Sequence, residues 1–142
     1  MPSQESTYFV NLHEDVWFGK NQTMPTIPAN WYVCMFSTTP GLGDLGGVEL
    51  TGSGYVRLVI PNTTSYFSAA SARVKVGAGG SYPLAWFTAS GTLGPVVATG
   101  LRDASSGGNL ILLNDYASGN QQTIYSGNVI TFNAADFSLT IN

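Results

Sequence analysis

Apolar positions along this chain fall into short runs separated by turn residues, with one helical period near the start. Within residues 6–18, Phe9, Leu12 and Val16 recur at i, i+3 and i+7, with Trp17 beside them. That spacing predicts one amphipathic helix. Ser6 is placed to cap its N-terminus and Gly19 to stop it. Pro25, Pro28 and Asn30 then mark a linker of extended or turn backbone. From Trp31 onward the runs are strand-sized. Trp31–Phe36 is rich in strand formers and apolar on both faces, which predicts a strand covered on both sides. Further strands are expected at Tyr55–Ile60, closed by Pro61, at Leu84–Ala89, Val96–Leu101 and Leu110–Leu113, at residues 127–132 and at 137–141. A weaker candidate lies at 66–76. The glycine-rich stretch 37–47 reads as a surface loop, residues 77–81 as a glycine turn, and Asp103–Gly108 as the turn of a hairpin.

Short strands at regular spacing with glycine-rich turns indicate a mainly β protein: an antiparallel, jelly-roll-like β-sandwich of seven or eight strands with one N-terminal helix. No second helical period supplies the crossovers that a parallel sheet needs. The division expected is residues 1–30 as helix and linker and 31–142 as the sandwich. No repeat of fixed period appears.

Composition narrows the functional classes. The 142 residues include 17 aromatics, too many for a disordered chain, and only 9% are charged, too few for a coiled coil. Five basic residues against eight acidic ones, with no basic run, argue against a nucleic-acid surface. No stretch approaches the roughly 20 apolar residues of a membrane helix, and residues 1–11 lack the basic and apolar regions of a secretory signal. The single Cys cannot form a disulfide within the chain.

Candidate chemistry is sparse. His13 stands beside Glu14 and Asp15, consecutive residues that point in different directions and read as a solvated helix face. Cys34, inside an apolar strand with no local cation, reads as an inert thiol; a pair with His13 would require the helix to turn its polar side to that strand. No pair of carboxylates carries a glycosidase signature, and Asp44 with Glu49 could hold calcium only with help from loop carbonyls. No catalytic residue, cofactor or metal is expected. Glu49, Ser53, Tyr55 and Arg57 form the one patterned polar constellation. In an extended segment, Thr51, Ser53, Tyr55 and Arg57 would share a face, with Arg57 reaching Glu49 or a turn carbonyl to brace the loop. Trp17, Phe18, Tyr82 and Trp86 are candidate interface aromatics. The helix stripe with Trp17 and Phe18 would pack on its own sheet or dock on a neighbouring subunit.

Taken in order, the N-terminal helix and Pro-containing linker, the segment Trp31–Pro40, the glycine-rich loop, the run Glu49–Arg57, the segment Asp103–Leu112 and the closing stretch 128–141 resemble a family of small tailed-bacteriophage structural proteins labelled tail-fibre-like. The resemblance covers most of the chain, from about residue 8 to 142, and is weakest at 62–81 and 84–89. It implies a non-enzymatic virion protein assembled in the host cytoplasm, with other virion proteins (the major capsid protein or tail proteins) as partners. Homo-oligomers, trimers among them, follow by analogy. Small size and the absence of a repeating shaft favour capsid decoration or cement over a tail or tail-fibre component. The alternative is a carbohydrate- or receptor-binding module using Trp86 or Tyr82 as a sugar platform, and a small hydrolase is the third reading.

Overall fold

The computed structural model describes residues 4–19, 25–67, 74–76, 84–132 and 138–140. Among these, strand β1 (Gln4–Glu5) precedes helix α1 (Thr7–Trp17). The strands that follow are β2 (Asn30–Thr38), β3 (Val48–Glu49), β4 (Leu58–Pro61), β5 (Val74–Val76) and β6 (Leu84–Thr88). After them come β7 (Leu93–Val96), β8 (Ala98–Arg102), β9 (Leu110–Asp115), β10 (Gln122–Ile124), β11 (Val129–Phe132) and β12 (Ser138–Thr140). The principal sheet runs β1-β9-β8-β2-β3, with β4 joining β3 on the same edge of β2. Antiparallel pairs β7–β10, β6–β11 and β5–β12 make up the rest, so the mainly β, antiparallel sandwich expected from the sequence is what forms.

The period of two along β2 explains where the core sits. Val33 and Met35 face one way, where they meet Leu58, Leu101 and Leu112 on the same sheet and Phe132, Leu93, Val96 and Ile124 from the opposite layer. Cys34 and Phe36 face the other way, against Ala98, Leu110 and Leu113. All four of these β2 residues are buried, as the run of apolar residues on both faces requires. β8 lies so close that a methyl group on Gly100 would come within 2.9 Å of both Leu110 and Phe36.

The structure corrects several sequence expectations. Tyr55–Ile60 is not one strand: β4 starts at Leu58, because Gly52, Ser53 and Gly54 all take positive φ and turn the chain just before it. The stretch Val96–Leu101 divides at Val97, where the chain leaves β10 for β2 and β9. Val97 itself is held by Phe36 O and by the Tyr116 amide. β1, β3 and β10 are too short to register as patterns. The hairpin around Asp103–Gly108 forms as expected, joining β8 to β9. The glycine turn expected at 77–81 lies outside the described residues, as do parts of the expected strands at 66–76 and 137–141.

The N-terminal segment is joined to this sheet. β1 extends it alongside β9. The Ser6 amide donates to Ile111 O, and its hydroxyl donates to Leu110 O. The same hydroxyl oxygen accepts from the Phe9 amide, the N-cap bond anticipated for this residue.

Candidate functional site

Three loops meet where β2, β3 and β8 come together, and two arginines tie them. Arg57 grips Glu49 with two parallel bonds, Nε to Oε1 at 2.8 Å and Nη2 to Oε2 at 2.7 Å. Its remaining arm donates to the carbonyls of Ala104 and Gly107 at 2.7 and 2.8 Å. Arg102 grips Asp44 in the same forked manner, both bonds at 2.7 Å, and donates to Gly108 O at 2.9 Å. Its guanidinium carbon lies 5.7 Å from the centre of the Phe36 ring, and its Nε stands 4.0 Å from Glu49. The glycine-rich loop, the Glu49–Arg57 segment and the β8–β9 turn are thus fastened to one another by planar forks, a geometry that lysine cannot supply. Asp103 completes the turn, accepting from the Asn109 backbone and side-chain amides at 2.7 and 2.8 Å.

Tyr55 fills a gap in the sheet. β4 pairs with residues 30–33 of β2 and β3 with residues 36–38, leaving Met35 between them. The Tyr55 hydroxyl accepts from the Met35 amide at 3.0 Å and donates to Glu49 Oε1 at 2.9 Å. A side chain therefore satisfies a backbone donor that neither strand reaches. Burial alone would raise the Glu49 carboxyl, but bonds from Arg57 and Tyr55 outweigh it and hold Glu49 below its ordinary value. Burial pushes the Tyr55 phenol upward, keeping it a neutral donor. The bonded Glu49 carboxylate raises Arg57. Burial opposes charge on Arg102, and Asp44 more than compensates.

Of the four residues singled out in this region, the structure brings Glu49, Tyr55 and Arg57 together, and Arg57 reaches both a carboxylate and turn carbonyls. Ser53 is not in the network. It lies at φ +50° in the turn, and its carbonyl accepts from the Ser90 amide at 2.9 Å. The extended backbone that would have aligned its side chain with the others does not form. Gly54 is required beside it: at φ +83° a side chain there would meet Thr88 O at 2.9 Å. Arg102 and Asp44 were missed as a pair because 58 residues separate them. Asp44 and Glu49 both face Arg102, so an arginine stands between the two carboxylates where the calcium reading would place an ion.

The remaining candidates are scattered. Cys34 is 0% exposed and its thiol points to Gly100 O at 3.5 Å; burial pushes it up to about 12, so it is an inert neutral thiol. His13 is exposed, lies against the Phe9 ring with ring centres 4.7 Å apart, and lines the cleft beside α1. Trp86 is half-buried between two core clusters, with its indole N–H donated to Val56 O at 2.6 Å and edge contacts to Phe87 and Phe132. Tyr82 lies outside the described residues. Trp17 and Phe18, by contrast, are 78% and 86% exposed at the end of α1. No residue of that helix is buried. Its stripe of Phe9, Leu12 and Val16 instead walls a cleft of about 360 Å³, closed on the other side by residues 25–28, Trp31 and Ile111.

An antiparallel sandwich with ion-paired loops and an exposed aromatic corner is a rigid scaffold that presents loops. The chain belongs to the family of podophage GP4 fiber I protein gp80, whose family model matches residues 5–140. The match spans every described strand but β1, which it enters at Glu5, and bears out the resemblance to tail-fibre-like phage structural proteins, making the chain a virion component. No curated protein matches it.

Proposed function

We propose that the chain is a non-enzymatic structural subunit of a phage tail fibre, acting through contacts with other virion proteins. The observation that carries this is the fibre-family match over residues 5–140, which takes in both the braced loops and the aromatic end of α1. It favours the fibre over capsid decoration or cement, the location that small size alone suggested. The loop network supports the reading physically. Forked arginine pairs fix loop backbones without metal or disulfide, which suits a part that must present one shape in many copies. The carbohydrate-binding alternative names Trp86 and Tyr82. Trp86 has its N–H engaged and its ring packed between core clusters, which speaks against it as a sugar platform, and Tyr82 lies outside the described residues.

The test is to locate the chain by cryo-EM of intact virions, with mass spectrometry of separated heads and tails. A few copies at the tail are expected. Hundreds of copies on the head lattice would replace the fibre with decoration, and absence from particles would sink the structural role.

A further inference from the structure

The geometry points to a self-complementary contact in which Trp17 and Phe18 of one copy enter the α1 cleft of a second copy of this chain. This rests on the structural reading above and names the partner that the aromatic corner serves. The cleft is lined mainly by apolar side chains, Leu12, Val16 and Trp17 itself on the helix and Ile27 and Trp31 opposite, with His13 and Asp103 among its polar members. Phe9, Trp31 and Ile111 join the cleft to the core on its inner side, while no residue of α1 is itself buried. At the same corner Trp17 and Phe18, with Leu45 the most exposed large apolar side chains among the described residues, project outward. Tyr8 and Ile27, 41% and 66% exposed, continue the apolar surface along the rim.

Trp17 forms part of the cleft wall and Phe18 follows it in the chain, so anchor and receptacle share one face. A two-fold contact turns such a face onto itself, so that each copy fills its partner's cleft in one event. The area suffices. Aromatic side chains bury about 150–250 Å² each, and with Tyr8, Ile27 and the cleft walls one copy offers about 600 Å². Two copies reach about 1,200 Å², the lower end of what stable specific interfaces bury. The cleft, about 360 Å³, has room for aromatic rings against a mainly apolar lining. Trp17 and Phe18 would then be the central anchors whose loss weakens the whole contact.

Analytical ultracentrifugation of the purified chain over a wide concentration range tests this, alongside Trp17→Ala/Phe18→Ala and the cleft-rim variant Ile27→Glu. All three positions are exposed, and unchanged circular dichroism melts would confirm intact folds. A concentration-dependent dimer in the wild type is expected, with dissociation constants raised about 30-fold or more in both variants. A wild type that stays monomeric throughout, or an association that both variants leave unchanged, would overturn the inference. A monomer that still occurs in tails leaves the fibre reading intact and removes only the self-contact, meaning that another virion protein covers the corner.

Discussion

Glu49 receives bonds from both Arg57 and Tyr55 and faces Arg102 at 4.0 Å, so one carboxylate holds the three-loop junction together. Glu49→Gln keeps the shape but removes the charge that both arginines face. The expected cost is about 1–3 kcal/mol, the scale of leaving partly buried charged donors without an ionised partner. The pH dependence has a definite sign. The carboxyl is held below its ordinary value in the folded chain. Its contribution is therefore fully present above the unfolded-state value, about 4.3, and is lost as pH falls through the folded one. Urea unfolding at pH 7 and pH 3 checks this. The wild-type midpoint should fall more between the two than that of Glu49→Gln, and equal falls would mean that Glu49 carries no acid-linked stability.

The elements were legible in the sequence wherever one residue pattern decided them. Ser6 before the Phe9, Leu12, Val16 stripe gave the helix start, and the bond from the Phe9 amide to its hydroxyl confirms it. Ser6 does more than cap, because the same hydroxyl donates to Leu110 O and fastens α1 to β9. Ser6→Ala should therefore cost more than the roughly 1 kcal/mol of an ordinary cap. Thermal melts followed by circular dichroism at 222 nm would show the loss, and a shift no larger than for a simple cap would refute the second role. Elements whose form depends on distant partners were not legible. β3 and β1 are two-residue strands that exist only because β2 and β9 pair with them. The break at Val97 arises from a change of sheets, which local propensity does not encode. The Arg57–Glu49 tie could be read because eight residues separate the partners; Arg102–Asp44 could not, since only the folded sheet brings them together.

Across the whole molecule, stability should concentrate where the sheet is covered on both faces. β2, β8 and β9 supply most of the buried residues, whereas α1 supplies none. Hydrogen–deuterium exchange should accordingly show the slowest amides at Val33–Phe36, Gly100–Leu101 and Leu110–Leu113, and the fastest helical exchange along α1. Equal protection of α1 and β2 would contradict this distribution. The same sheet order bears on how the chain is made. β2 finds its neighbour β8 only across the register Cys34–Gly100, and β8 in turn needs β9, which ends at Asp115. At about 5–20 residues per second, a ribosome takes roughly 4–16 s to travel from Phe36 to Asp115. β2 therefore leaves the ribosome ahead of β9 by that interval, and a strand apolar on both faces waits with only β3 and β4 to pair with, a window in which a nascent-chain chaperone would hold it.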